Sequence, residues 1–366
     1  MSKHNLLKRL GLQHPIIQAP MAGTATPALA AAVSNAGGLG SISIANFDAP
    51  TARKNIQALK ALTDRPYNIN VFVHEEGVAD AAREAQWVDF LRPEFERYGA
   101  QPPAALKNIM PTFYDNEAVV QVLVEERPPV VSFHFGLPPA TTITALKNAG
   151  AVLLATATSV AEARLLEAAG IDAIVAQGIE AGGHRGVMDP AAPDDELTTA
   201  ALTRLLATHT ALPVIAAGGI MDGAGVAAYL ELGAELAQLG TAFIACPESA
   251  ADEGFRATLA SDAAFHTRLT PIVSGRAARS LATNWVALDQ GTHALGPHPP
   301  QPAYPIAYDA AKALIAAAKA KGDNGWGAYW AGQGAPLSRG KVPAAELLGQ
   351  LVAELAAARK ASAAKL

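Results

Sequence analysis

Eight short apolar runs rich in β-branched residues alternate with helical patterns along this chain, and this alternation is the feature that most constrains its fold. Such an order predicts a parallel sheet, because each pair of parallel strands needs a crossover connection, usually a helix. Eight repeats favour a closed TIM (β/α)8 barrel, an α/β fold, over an open doubly wound sheet. The predicted strands are 15–19, 38–44, 68–73, 130–135, 151–155, 172–177, 213–217 and 235–239.

The alternation breaks after Cys246, and the chain is longer than a barrel requires. A barrel of this type takes about 250 residues, whereas the chain has 366. We therefore predict a barrel built from residues 1–246 and about 337–366. A smaller, mainly helical domain of about 247–336 is expected to be inserted after strand 8. An apolar stripe within 343–360 predicts a helix that returns to the barrel as its eighth.

Composition and charge exclude several classes of protein. Half of the residues are hydrophobic and only 17% are charged, which excludes a disordered chain. The net charge of −5, with no dense basic run, argues against a nucleic acid or an acidic membrane surface as partner. Since Cys246 is the single cysteine and no apolar run reaches the length of a membrane helix, we expect a cytoplasmic protein. We expect it to be a monomer or a homodimer.

Glycine-rich segments follow the last three predicted strands. Gly182 and Gly183 come after strand six, Gly218-Gly219 after strand seven, and Gly240-Thr241 after strand eight. The loops after strands seven and eight form the usual phosphate site of such barrels, because glycines let backbone N–H groups approach the oxygens closely. The alternative is that the glycines only turn the chain. Three such segments at neighbouring strand ends favour a phosphorylated cofactor or substrate.

Amide side chains at the same strand ends indicate what the phosphate could belong to. Asn68 and Asn70 share one face of strand three, Gln177 ends strand six, and Gln238 precedes the Gly-Thr pair. Amides both donate and accept hydrogen bonds, which suits a ring edged with carbonyls and nitrogens such as a flavin. Each of them could equally be a satisfied polar residue of the barrel interior.

Two histidines are candidates for chemistry. His134 ends strand four, where it could act as general base, general acid or positive anchor, or could simply be packed. By strand alternation, Ser132 and His134 face one way, and Phe133 and Phe135 face the other. His184, in the glycine loop after strand six, could shape the phosphate site. The sequence shows no metal motif, since His74 begins no zinc-helix pattern and Cys246 has no partner cysteine.

Four motifs carry a resemblance to a known family: PIIQAPMAG (15–23), SFHFG (132–136), AQGIEAGGHRG (176–186) and AGGI (217–220). From about residue 12 to 315 the chain resembles nitronate monooxygenases of the class I type, formerly called 2-nitropropane dioxygenases. This resemblance implies a TIM barrel with a small second domain and FMN bound between them. It also implies oxidation of alkyl nitronates by O2 to a carbonyl compound and nitrite, with propionate 3-nitronate as the expected substrate and detoxification as the expected role.

The resemblance also assigns residues, motif by motif. The catalytic histidine falls on His134, which could hold the nitronate if protonated or remove the α-proton of a nitroalkane if neutral. The substrate pocket falls on Tyr304, Tyr308 and Lys312, of which Lys312 could pair with a second negative group. The cofactor contacts fall on Met21, Asn70, Gln177, Gly182, Gly183, Gly218, Gly219, Gln238, Leu239, Gly240 and Thr241.

Three alternatives remain open at this stage. An FMN-dependent NAD(P)H:quinone reductase or enoyl-acyl-carrier reductase belongs to the same group of barrels. In the enoyl-acyl-carrier reductases the catalytic histidine would be His184, and no Phe-His-Phe motif is expected. A flavin-free phosphosugar lyase or isomerase would use the same glycine loops for its substrate. A flavin-binding protein without catalysis would require His134 to be structural.

Overall fold

The computed structural model describes residues 5–364, and its core is a sheet of eight parallel strands. Neighbouring strands follow the order β1-β9-β8-β6-β5-β4-β3-β2, and a bridge between Ile17 and Leu39 joins the two ends of the sheet. The predicted α/β barrel is therefore confirmed, and each predicted strand overlaps an observed one. These strands are β1 (Ile16–Gln18), β2 (Gly40–Ser43), β3 (Tyr67–Phe72), β4 (Val130–His134), β5 (Val152–Ala157), β6 (Ala173–Gln177), β8 (Val214–Ala217) and β9 (Leu236–Leu239).

Helices cover the outside of the barrel, and their ends carry the expected capping residues. Ser159 accepts a hydrogen bond from the backbone N–H of Glu162 at the start of α7, and Asp222 does the same for Gly225 at the start of α9. The barrel helices are α2 (Pro27–Asn35), α3 (Ala49–Lys60), α5 (Glu117–Glu126), α6 (Ala140–Asn148), α7 (Val160–Ala168), α8 (Thr199–His209) and α9 (Gly223–Glu231), preceded by α1 (Leu6–Arg9).

The last described helix completes the ring. Helix α14 (Ala344–Ala363) packs between α2 and α9, the helices that follow the first strand and the seventh barrel strand. It buries the apolar stripe read from the sequence, with Leu347, Leu348, Leu351 and Leu355 in one cluster with Leu29. The expectation that this segment supplies the eighth barrel helix is confirmed.

The region between Cys246 and α14 contains strands as well as helices. Strands β10 (Thr267–Thr270) and β11 (Ala278–Leu281) form an antiparallel hairpin, and β11 also pairs with β7 (Gly183–His184). The hairpin carries no apolar alternation, which is why the sequence indicated a mainly helical segment. The helices of this region are α11 (Glu253–Leu259), α12 (Asn284–Asp289) and α13 (Ala307–Ala320), with 3₁₀ turns at Asp262–Phe265 and Ala335–Leu337; the short helix α10 (Thr241–Ile244) precedes Cys246 and follows β9.

A second apolar cluster lies outside the barrel. It contains Trp285 and Trp326 from the region after Cys246, together with Trp87 and Phe95 from α4 (Ala81–Arg97). Helix α4 lies between β3 and β4 in the chain, and it packs against α13. The domain boundary predicted at about 247–336 stays a prediction.

Candidate active site

A cavity lies at the carboxyl ends of the barrel strands, the end at which barrels of this type build their sites. Strands β3, β4, β6 and β9 each contribute a polar side chain, and the loops after β6, β8 and β9 contribute glycines. The sequence-predicted residues that line the cavity are Met21, Asn70, His134, Gln177, Gly182, Gly183, Gly218, Gly219, Gln238, Gly240, Thr241 and Tyr308.

His134 is held by hydrogen bonds at both ring nitrogens. Its Nε2 lies 3.1 Å from the carbonyl oxygen of His184, and its Nδ1 lies 3.0 Å from Oγ1 of Thr156. Because a carbonyl oxygen only accepts, Nε2 carries the proton, and Nδ1 accepts from the threonine hydroxyl. Burial lowers the pKa of His134 to about 4, and the charges of Arg276 and Arg185 act in the same direction. At neutral pH the ring is therefore neutral, which suits a proton acceptor rather than a cationic anchor.

The neighbours of His134 along the chain, Ser132, Phe133 and Phe135, lie in different environments. Ser132 accepts from the amides of Asn68 and Asn70, at 2.9 and 3.0 Å, which confirms that the two asparagines share a face. Strand β4 ends at His134, and Phe135 has a φ of 78°, a left-handed conformation that is costly for a bulky residue. Because of this turn, Phe135 packs against Phe72 and Tyr304 at the cavity end, whereas Phe133 belongs to the core beneath the helices.

The loop after β6 is pressed against His134. A Cβ atom on Gly186 would lie 2.7 Å from Cε1 of His134 and 2.6 Å from Cγ2 of Thr156, closer than atoms can approach. Gln177 tightens this contact, since its Nε2 donates to the carbonyl of His184 at 3.0 Å and its Oε1 accepts from the backbone N–H of Gly186 at 2.7 Å. Glycine at position 186 is therefore required for the observed position of the imidazole.

A carboxylate and a hydroxyl join the glycine loops after β6 and β8. Oε2 of Glu180 accepts from both the backbone N–H and the hydroxyl of Thr199, each at 2.8 Å, and this hydroxyl lies 3.1 Å from the carbonyl oxygen of Gly218. Gly218 and Gly219 have φ angles of 131° and 70°, which only glycine adopts without strain. The result is a rigid surface of backbone groups on one side of the cavity.

The remaining sequence-predicted residues lie at different depths from the cavity. Tyr308 lines it, and its hydroxyl accepts from Nε1 of Trp330 at 3.3 Å. Tyr304 is buried behind the wall, with its ring centroid 5.5 Å from that of His184. Lys312 is not among the lining residues, and its ammonium lies 5.0 Å from the ring centroid of Tyr308. The side chain of Leu239 points into the core formed with α14, so it does not line the cavity either.

The sequence analysis missed several residues around the histidines. Thr156 lies one residue beyond the predicted end of its strand, a position that could have indicated it. Ser274 and Arg276 come from the turn of the β10–β11 hairpin, which has no motif. Oγ of Ser274 lies 2.8 Å from Nε2 of His184, and the guanidinium carbon of Arg276 lies 4.0 Å from the ring centroid of Phe135.

Burial also keeps the two other histidines near the cavity neutral. It lowers the pKa of His184 to about 3 and that of His74 to about 4, and the charge of Arg276 adds to both effects. Within 5–364, no cluster of three or more His, Cys, Asp or Glu side chains could hold a metal ion. No helix of the same range is long and apolar enough to cross a membrane.

Comparison with known proteins shows the family of this chain. The family model for nitronate monooxygenase matches residues 3–354. A nitronate monooxygenase from Paraburkholderia phytofirmans is 60% identical, with coverage of 96% of this chain and 95% of the relative. One from Pseudomonas aeruginosa is 54% identical, with coverage of 94% and 97%.

Solved structures share the fold of this chain. The nitroalkane oxidase of Streptomyces ansochromogenes superposes with a TM-score of 0.87 at 39% identity, over 98% of this chain and 99% of that one. FabK from Thermotoga maritima superposes with a TM-score of 0.74 at 28% identity, over 99% and 98%. The matches in sequence span almost the whole chain and carry one family name, so the chain belongs to the nitronate monooxygenase family.

Proposed function

We propose that this enzyme uses FMN to oxidise alkyl nitronates with O2 to a carbonyl compound and nitrite, and that propionate 3-nitronate is its substrate. Enzymes of its family work with a flavin. The observation that carries the proposal is the position of His134. A neutral imidazole stands at the end of β4, in the same cavity as the glycine loops that follow β6, β8 and β9.

The cavity fits FMN in the chemistry of its lining. The loops at Gly182-Gly183, Gly218-Gly219 and Gly240-Thr241 all line the cavity, and glycine lets backbone N–H groups approach a phosphate closely. The amides that line the cavity can donate to and accept from the edge of a flavin ring. In this proposal the ring contacts fall on Met21, Asn70, Gln177 and Gln238, with Leu239 contributing only through its backbone.

His134 takes the role of general base in this proposal. Its Nδ1 lone pair points at the Thr156 hydroxyl, 3.0 Å away, and could instead accept the α-proton of a neutral nitroalkane. A substrate that is already a nitronate needs no such base. The flavin, when bound, supplies the electron acceptor for this electron-rich anion. The protein then has to bind the anion, orient it and keep bulk water away.

The region after Cys246 would cap the substrate. Tyr308 and Trp330 come from this region, line the cavity and are joined by a hydrogen bond of 3.3 Å, so we assign Tyr308 a direct contact with the substrate. Tyr304 would support His184 from behind. Lys312, 5.0 Å from the Tyr308 ring, would supply the charge that attracts a second negative group at the cavity entrance.

The test begins with the purified protein and the identity of its chromophore. Flavin released by denaturation should have the mass of FMN, and oxygen uptake with propionate 3-nitronate should be accompanied by release of nitrite. Anaerobic mixing with NADH or NADPH should leave the flavin oxidised. Prompt bleaching by either nucleotide would instead support a reductase, and a colourless protein that cannot be reconstituted with FMN would contradict the proposal.

A further inference from the structure

Within residues 5–364, the buried guanidinium of Arg276 forms no ion pair. The side chain is 6% exposed and lies in the hairpin turn between β10 and β11. Its Nη2 donates to the carbonyl oxygen of Val187, while its Nε has no hydrogen-bond partner among the described residues. The carboxylates that act on it, those of Glu162, Asp189 and Glu75, do so at long range only, since none forms an ion pair with it.

Two other buried arginines provide the comparison. Arg185 forms a two-pronged ion pair with Asp194, with N–O distances of 2.7 and 2.9 Å. Arg279, 6% exposed as well, uses its Nε and Nη1 on the carbonyl of Ile179 and the hydroxyl of Thr267, at 3.0 and 3.2 Å. Burying a cation without an ion-pair partner costs several kcal/mol, and Arg276, unlike Arg279, also leaves its buried Nε without an acceptor among the described residues.

Arg276 lies behind the wall of the cavity, with Phe135 between its guanidinium and the two histidines. The guanidinium carbon lies 4.0 Å from the ring centroid of Phe135, and that ring centroid lies 4.4 Å from His134 and 5.8 Å from His184, which both line the cavity. The positive charge opposes protonation of His134, His184 and His74 alike. The histidines are neutral, so the fixed positive charge next to this wall of the cavity comes from the guanidinium.

We propose that Arg276 determines the specificity of this enzyme for anions: its buried charge, acting across Phe135 and His184, selects a nitronate over the neutral nitroalkane. This inference rests on the proposed function for the identity of the substrate. The anion recognised is small and planar, with its charge spread over oxygens. Arg276 does not line the cavity, so it acts through its field and not by contact.

The size of the effect follows from Coulomb's law. At an effective dielectric constant of about 20, a single charge at a separation of several ångströms changes binding by roughly tenfold or more. A neutral ligand of the same shape feels no such change. Removing the charge should therefore lower the affinity for the anion and leave the affinity for the neutral ligand unchanged, whereas damage to the cavity would lower both affinities.

The experiment measures the dissociation constant of nitrate, a planar anion that cannot be oxidised, by its perturbation of the flavin absorbance. The KM of neutral nitroethane, measured by oxygen uptake, serves as the comparison for an uncharged ligand. Arg276→Gln keeps a donor for the Val187 carbonyl but removes the charge, Arg276→Lys keeps the charge, and Arg279→Met is the matched buried arginine. We expect Arg276→Gln to weaken nitrate at least tenfold, the two other variants to stay within threefold of wild type, and nitroethane binding to be unchanged throughout.

A second readout distinguishes a field effect from packing. The charge of Arg276 lowers the pKa of His134. Arg276→Gln should therefore raise this pKa, so that on acidification the rate of nitroethane oxidation begins to decline at a higher pH than in wild type. Two results would overturn the inference. One is an Arg276→Gln variant that binds nitrate within threefold of wild type, and the other is an Arg279→Met variant that loses as much nitrate affinity as Arg276→Gln.

The wild-type enzyme gives a check that needs no variant. Arg276 stays protonated throughout the range, because burial lowers its pKa only to about 10, so nitrate affinity should be constant from pH 6 to 8. A tenfold decrease per pH unit would identify a protonated histidine as the anion's partner and would overturn the inference. Nitrate binding is measured without turnover, so a failure of nitronate oxidation would leave this test intact.

Discussion

His134 donates its Nε2 proton to the backbone carbonyl of His184, 3.1 Å away, and so presents a neutral ring with its lone pair on Nδ1. This hydrogen bond joins the end of β4 to the loop after β6, two of the four segments that carry the family motifs. It also sets the tautomer, because the carbonyl oxygen cannot donate. The predictions below depend on this geometry and on the contacts that hold it.

Replacing His134 with Asn should separate proton abstraction from the oxidation that follows it. The amide can keep a hydrogen bond in this polar site but cannot accept a proton at neutral pH. We expect oxidation of neutral nitroethane to fall by about 10²- to 10⁴-fold, the usual contribution of a general base. Oxidation of a nitronate prepared in advance should fall far less. Oxygen uptake with each substrate measures both rates, and wild-type turnover of nitroethane would exclude His134 as the base.

Gly186→Ala should displace the imidazole without unfolding the barrel. The new methyl would overlap Cε1 of His134 and Cγ2 of Thr156, and relieving such a clash costs about 1–3 kcal/mol. We expect a lower melting temperature and a loss of nitroethane oxidation close to that of His134→Asn. Gly349→Ala is the control, since Gly349 lies in helix α14 with open space around it and alanine is favoured there by about 1 kcal/mol. A Gly186→Ala enzyme with normal kinetics would contradict the contact.

Thr199→Val should weaken flavin binding by about tenfold. The valine removes the hydroxyl that joins Glu180 to the carbonyl of Gly218, at 2.8 and 3.1 Å, and so loosens two glycine loops at once. Thr203, one turn further along α8, is the matched control, because its buried hydroxyl has no partner among the described residues. Thr203→Val should bind flavin normally and be at least as stable as wild type. Fluorescence titration of the apoprotein measures both affinities, and equal affinities in the two variants would refute the role of Thr199.

Stability should fall as the pH is lowered from 6.5 to 5. Burial lowers the pKa of His134 and of His74 from 6.5 to about 4. The unfolded chain therefore binds protons in this window while the folded chain does not, and stability decreases as pH falls. Each such histidine contributes a loss of about 1–2 kcal/mol over this range.

Urea denaturation at the two pH values measures this loss. Carboxylates interfere little, because their ordinary pKa values lie below the window. In His134→Asn the loss of unfolding free energy between pH 6.5 and 5 should be smaller by the contribution of one histidine, about 1–2 kcal/mol. An unfolding free energy that does not change between pH 6.5 and 5 would show that these histidines are not buried in the neutral form.

The strand order and the location of the cavity could be predicted because the signals are local. Each strand and the helix after it show their hydrophobic pattern within one continuous stretch of sequence, and a glycine such as Gly218 directly follows its strand. The chain folds these local units into a barrel whose strand ends all open on one side. His134 was identified in the same way, from its place at the end of one strand.

The partners of His134 and its charge state could not be predicted, because they depend on residues distant in sequence. Thr156 and the carbonyl of His184 lie 22 and 50 residues further along the chain, and the hairpin that delivers Arg276 carries no motif. Lys312 was the cation that the family resemblance assigned to the pocket, yet the residue buried beside the histidines is Arg276. The sequence by itself determined the barrel and most of the residues that line its open end. Only the tertiary structure decided which of them are neutral, since desolvation and hydrogen bonding at His134 arise when separate loops close over it.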